Sequence, residues 1–205
     1  MIPDWLDWTQ RLQAIAQNGL TYALSDYDRE RYQQVREIAN QILAAQTGEQ
    51  AASFQAAFAM EDGYSTPKVD VRASVIRDGR ILLVREREDG CWTLPGGWAD
   101  IGQSAAESVV REVREESGFD VRAVKLIAVL DRNRHGHPPI PYHAFKMFFR
   151  CELLGGEAET SAETSAADWF APDALPPLSL TRVLPEQISM CFCCEADPDL
   201  AAIFD

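Results

Sequence analysis

No apolar run in this chain approaches the roughly 20 residues that a membrane-spanning helix requires, so a helical membrane protein is excluded as the organising class. The N-terminus, with Asp4, Trp5, Asp7 and Trp8, lacks the basic start and apolar core of a secretory leader. A cytoplasmic location is the expectation. Cysteine is sparse and odd in number, five residues, which predicts reduced thiols rather than a disulfide framework. Cys191, Cys193 and Cys194 cluster, but structural zinc needs four ligands in paired spacing and no second pair is offered. A packing role is expected for them. Positive charge is also scarce: 19 basic residues face 32 acidic ones, for a net charge of −13, which disfavours binding to long nucleic acid. Internal repeats and low-complexity segments are absent from the sequence.

What remains is an ordinary soluble composition, 46% hydrophobic and 25% charged over 205 residues, enough for one domain and a small appendage. The charge is unevenly spread. Residues 1–67 hold four basic and nine acidic side chains, residues 151–205 one and eleven, and residues 68–150 fourteen and twelve. Nearly all the cations therefore lie in the middle of the chain.

Along the chain, Trp5, Trp8, Leu12 and Ile15 recur at helical spacing and predict a first helix over residues 3–18, ending at Asn18-Gly19. Ser25 and Asp26 can cap a second helix that buries Tyr32, Val35, Ile38, Ala39 and Ile42. A third begins near Glu49 and buries Phe54 and Phe58. Residues 1–62 thus read as a small helical domain, marginal alone, and residues 63–67 as a linker. From residue 68 the pattern alternates as strands. Asp78-Gly79 and Asp89-Gly90 are hairpin turns, followed by a short strand entering Pro95-Gly96-Gly97. Residues 121–130 read as a strand or strand pair, 131–139 as a cationic loop too charged to be buried, and 142–154 as a long strand. A short strand at 168–170 and a final helix from about Thr181 complete the pattern, with an acidic tail expected to fray. The order β-β-β-α-β-β-β-α predicts an α/β sandwich with mixed sheets over residues 68–205.

The centre of the chain is the stretch from Gly96 to Phe119. Ser104 and Glu107 form a capping-box pattern that starts a helix, and Gly118 stops it. At about 100° per residue, Glu112, Glu115 and Glu116 share an arc roughly 100° wide. Ala106, Val109, Val110 and Val113 form a separate apolar stripe, and Arg111 and Arg114 fall outside both. Crowding three anions on one face costs stability. A solvated acidic face is one reading; a face that binds divalent cations through hard oxygen ligands is the other.

The spacing from Gly97 through Gln103, Arg111-Glu112-Val113 and Glu115-Glu116 to Gly118-Phe119 resembles the Nudix hydrolase signature, with Gln103 standing where that family usually has glutamate. The resemblance covers roughly residues 68–180 and implies the α/β/α sandwich of that family. Trp5-Leu6 with Trp8, Gly19 to Tyr22 and Asp26 to Tyr32 look like the helical extension of one Nudix branch, which includes bacterial CDP-choline pyrophosphatases and enzymes annotated for ADP-ribose. That resemblance implies a homodimer and hydrolysis of the diphosphate in a nucleoside diphosphate joined to another moiety.

By resemblance, Glu112, Glu115 and Glu116 would bind Mg²⁺ or Mn²⁺, with the Gly97 carbonyl as a further ligand. Arg111 would orient the carboxylates, against the plainer reading of a surface ion pair with Glu107. Glu163 is the candidate loop acid to take the proton from water. Arg72, Arg85 and Lys146 are candidate diphosphate contacts, and Trp98 or Tyr142 could stack on a base. Two other classes stay open: a nucleotide-sensing module without turnover, and an RNA-end or exonuclease activity at the same site.

Overall fold

A computed structural model of the chain describes residues 2–47, 56, 58 and 61–205. It divides into two units, Met1–Pro67 with Pro138–His143, and Lys68–His137 with Ala144–Asp205.

In the first unit, α1 (Asp4–Tyr22) packs on α2 (Asp26–Thr47). The first helix does not stop at Gly19. A Cβ there would stand 2.2 Å from the Tyr32 ring, so glycine is the notch that lets α2 approach closely. The buried face of α1 also differs from the expected tryptophan stripe. It carries Leu6, Thr9, Gln13, Ala16 and Gln17, while Trp8 and Ile15 are more than half exposed. The buried glutamines are tolerated because each is hydrogen-bonded: Gln13 Nε2 donates to Asn40 Oδ1 at 2.7 Å and Gln17 Nε2 to Gly63 O at 2.9 Å. Ser25 caps α2 by accepting from the Asp28 amide. On α2, Ala39 and Leu43 are buried, whereas Ile38 is exposed. Of the expected third helix, Glu49 and Phe54 lie outside the described residues, and Phe58 packs against Leu6 and Leu43. The stretch Pro138–His143 is held by α1, with Gln10 Nε2 donating to Ile140 O and Pro141 O at 3.2 Å.

The second unit runs β1 (Lys68–Arg77), β2 (Arg80–Glu86), β3 (Trp92–Thr93), α3 (Ala105–Ser117), β4 (Phe119–Asp131), β5 (Ala144–Gly156), β6 (Thr164–Phe170), α4 (Pro185–Ala196) and β7 (Ile203–Phe204). Strand order is β3-β2-β1-β5-β4-β7, with β6 also on β2. The sheet is mixed: β1 lies parallel to β5 and β7 parallel to β4, and the other pairs are antiparallel. Asp78 and Gly79 both take positive φ, as the β1–β2 hairpin requires. Side-chain alternation then splits the core in two. Val71, Ala73, Val75 and Phe149 pack with Val109 and Val113 of α3; Ile81, Leu83, Leu130 and Phe148 pack with Ile188, Cys191 and Cys194 of α4. Each such fully buried aliphatic or aromatic side chain contributes on the order of 2 kcal/mol. Helices on both faces of mixed strands make the α/β/α sandwich.

Three expectations change here. Arg132 and His137 are buried, despite the charge of their loop, because each has a partner: Arg132 Nη2 donates to Thr181 O at 3.1 Å and His137 Nδ1 meets Leu180 O at 2.8 Å. The final helix starts at Pro185, after a turn closed by the Arg182 and Val183 amides on Ser179 O. The acidic tail does not fray; β7 pairs with β4, and Lys125 Nζ donates to the carbonyls of Pro198 and Leu200. All five cysteines are free thiols, and burial pushes those of Cys151 and Cys191 up to about 12. Among the described residues, no helix is long and apolar enough to cross a membrane.

Candidate active site

The loop before α3 is built around close approach. Gly96 has φ +143°, and a Cβ on it would stand 1.9 Å from Val71 O, so only glycine lets the loop lie along β1. Val71 and Ala73 donate their amides to Gly97 O and Pro95 O at 2.8 Å, and Ala99 N reaches Val69 O at 2.9 Å. The helix itself is fixed at both ends. Ser104 Oγ accepts from the Glu107 amide at 3.2 Å, Glu107 returns the bond, and Gly118 caps the C-terminus in the left-handed region.

Two acids of α3 converge on this loop. The Gly96 amide donates to Glu116 Oε2 at 2.8 Å, and a Cβ on Gly97 would lie 3.1 Å from Glu112 Oε1. Glu116 is buried, and that burial pushes its carboxyl up to about 8; Glu112 and Glu86 add to the rise, while Arg72 and the Gly96 amide oppose it. Burial likewise raises Glu112, against the pull of Arg111. Glu115 is half exposed and takes Arg111 Nη1 at 2.6 Å.

Arg111 lies outside the acidic arc on the helical wheel, yet its side chain reaches across to it. Nη2 meets Glu112 Oε1 and Asp100 Oδ2, each at 2.9 Å, and Nε meets Gln103 Oε1 at 3.2 Å. Its partners are thus the site carboxylates, and Glu107 is occupied by the cap instead.

Behind the loop sits a buried cluster. Asp70 accepts from Arg72 Nε at 2.7 Å and from Lys146 Nζ at 2.8 Å, its partner across the β1–β5 register, while Arg72 Nη1 also reaches Leu94 O. Burial alone would raise the Asp70 carboxyl, but the two cations outweigh it and hold it at about 2. The Lys146 ammonium is lowered by burial to about 8. Lys146 is fully buried and Arg72 nearly so. Both cations, expected at the diphosphate, are committed to Asp70; Arg72 bears on Glu116, Glu112 and Glu86 through its charge. Arg85 lies exposed along the β2–β3 turn, its Nε donating to Gly90 O at 2.8 Å. Trp98 is 44% exposed beside the loop, and Tyr142 belongs to the helical unit.

Glu163 is exposed just ahead of β6, its carbonyl accepting the Arg87 amide at 2.9 Å. Its neighbour Thr164 donates to Glu116 O at 2.6 Å, which ties this loop to the end of α3.

Sequence reasoning missed Glu86. This acid is buried at the end of β2, paired with Arg182 at 3.2 Å; burial raises its carboxyl, and both Arg72 and Glu163 bear on it. An acid closing an apolar strand was the available signal; the bulge between Arg85 and Glu86 that sets its direction was not. Among the described residues, no group of three or more His, Cys, Asp or Glu stands ready to enclose a metal ion. The donor chemistry nonetheless fits a hard divalent cation: two carboxyls that burial raises face one glycine loop, with a third acid beside them.

Comparison with known proteins agrees with this geometry. Residues 66–189 match the NUDIX domain model, and residues 3–58 match a model described as a UDP-X-like, N-terminal oligomerisation domain. The chain is 46% identical over 201 residues, 98% of its length and 97% of the relative's, to YjhB of Bacillus subtilis (strain 168), provisionally named an ADP-ribose pyrophosphatase. A crystal structure of a UDP-X diphosphatase superposes with TM-score 0.64 at 32% identity, covering 98% of each chain. An ADP-ribose pyrophosphatase structure from Streptococcus suis 89-1591 gives TM-score 0.64 at 42% identity, over 68% of this chain and all of that one. The glycine loop, the capped acidic helix and the helical extension therefore have one common explanation: the chain is a Nudix hydrolase of pyrophosphate bonds, from the branch that carries an N-terminal oligomerisation domain.

Proposed function

We propose that this protein is a Mg²⁺- or Mn²⁺-dependent pyrophosphohydrolase that cleaves the diphosphate of a nucleoside diphosphate linked to a second moiety. ADP-ribose is the first candidate substrate and CDP-choline the second. The observation that carries the reading is the convergence of Glu112 and Glu116 on the Gly96-Gly97 loop, both with raised carboxyls. Buried like charges of this kind are relieved by a cation, and hard oxygen donors favour Mg²⁺ or Mn²⁺. Glu112, Glu115 and Glu116 would hold it, with the Gly97 carbonyl as a further donor. A bound divalent ion would neutralise charge developing on the phosphoryl oxygens.

The chain's own residues divide the remaining work. Arg111 orients Glu112 and Glu115. Glu163, on the loop tied to Glu116, takes the proton from the attacking water. Arg72 steadies the acids from within, and Trp98 offers an exposed face for a base. The protein acts as a homodimer in the cytoplasm: Trp8, Ile15 and Tyr22, seven residues apart on α1, present 57%, 55% and 65% of their surface, in the segment that matches an oligomerisation model.

The test is a panel of ADP-ribose, CDP-choline, other sugar nucleotides and short RNA, each incubated with and without Mg²⁺ or Mn²⁺. Turnover of ADP-ribose that disappears with chelator supports the reading. Tight binding of one compound without turnover of any would instead identify a sensor, and release from RNA ends alone would identify RNA processing.

A further inference from the structure

Arg111 uses all three of its guanidinium nitrogens on α3 and the loop before it, and three of the partners are carboxylates: Glu112, Glu115 and Asp100. Asp100 differs from the other two. It belongs to the loop rather than the helix, and like Glu115 but unlike Glu112 its side chain is open to solvent, 62% exposed against 12% for Glu112. An exposed ion pair by itself contributes little to stability, so the fold gives little reason for it. Charge balance gives a better one. Glu112 and Glu115 are two of the three acids that the metal-dependent reading assigns to a divalent cation, and such a cation competes with Arg111 for their oxygens while repelling its charge. A guanidinium held by those two acids alone would oppose the ion. Position 103 offers no counter-charge, since Gln103 is neutral and its Oε1 is shared between Arg111 Nε and Ser108 Oγ, both at 3.2 Å.

We propose that Asp100 is a positioning residue for the metal-binding face, supplying the negative charge that position 103 lacks. By taking Arg111 Nη2 at 2.9 Å from the solvent side, it anchors the guanidinium, so that Glu112 and Glu115 stay oriented yet keep oxygens for a divalent ion. The proposal rests on the metal-dependent reading above. Asp100 touches neither substrate nor metal; it acts through Arg111.

Mn²⁺ affinity of the full-length protein, measured by titration calorimetry without substrate, tests the proposal together with rescue. Asp100→Asn is expected to weaken Mn²⁺ binding about tenfold, the low end of what loss of an outer ligand-orienting group costs, and to leave KM at saturating metal unchanged. Adding Gln103→Glu to that variant restores a carboxylate beside Arg111 Nε and is expected to bring affinity back to within about threefold of the parent, well inside that loss. Unchanged affinity in Asp100→Asn, or no recovery with Gln103→Glu, overturns the role of Asp100 while the metal-dependent reading stands. A parent protein that binds no Mn²⁺ overturns both.

Discussion

The Thr164 hydroxyl donates to the backbone carbonyl of Glu116 at 2.6 Å, joining the first residue of β6 to the last turn of α3. That bond is buried, and it sets where Glu163 stands relative to the acidic helix. Glu163→Gln is expected to lower kcat by about 10²–10⁴-fold, the usual range for a general base, with KM little changed. Thr164→Val removes the bond at nearly constant shape and is expected to cost about 1 kcal/mol of stability and a smaller part of kcat. Full activity in Glu163→Gln would remove Glu163 as the base and point to an acid of α3 instead.

Glu116 makes stability depend on pH in a definite sense. Its carboxyl, raised to about 8 from a usual value near 4.5, keeps its proton in the folded protein while the unfolded chain has lost it. Between those values the folded state binds more protons, so the metal-free protein loses stability as pH rises through that window. Glu116→Gln removes the titration. The variant is expected to melt higher than the parent at pH 8, by about 1–4 kcal/mol, and to match it near pH 4.5. Its turnover should fall by several orders of magnitude. Parallel melting curves across the range would refute the buried titration.

Gly19 sits inside α1 because Tyr32 occupies the space a side chain would need. Gly19→Ala is expected to force the two helices apart and destabilise the protein by about 1–3 kcal/mol, as overpacking does, although alanine is the better helix former. A thermal melt that rises instead would show that the contact yields freely.

The exposed stripe of α1 gives a test of assembly on the full chain. Trp8→Glu combined with Ile15→Glu is expected to convert a dimer into protomers by light scattering while the far-ultraviolet circular dichroism is retained. An unchanged mass would remove this face from the interface.

These cases show what could be read from the sequence and what could not. The Asp78-Gly79 turn, the Ser104–Glu107 capping box and the Gly118 stop were legible because each is decided by neighbours within four residues. The Glu112, Glu115 and Glu116 face was legible for the same reason, since helical periodicity alone groups it. Gly19 misled because its role is set by a residue in another helix. The buried stripe of α1 was hidden by its polarity: Gln13 and Gln17 are inside because Asn40 and Gly63 satisfy them. Arg132 and His137 went unseen as interior residues on the same grounds. Within the site, Glu86 depends on a bulge and Asp100 on the path of a loop, and neither leaves a periodic trace.

The Asp70–Arg72–Lys146 cluster has a consequence for ionic strength. At 0.15 M salt, exposed charges are screened over about 8 Å, whereas charges sealed from solvent are screened far less. Arg72 and Lys146 are 4% and 0% exposed, so dissolved ions weaken the field that Arg72 imposes on Glu116 far less. Asp100, open to solvent, has no such shelter. Added salt should therefore loosen the grip on Arg111 well before it weakens the pull on Glu116, separating two electrostatic supports that act on acids four residues apart in one helix.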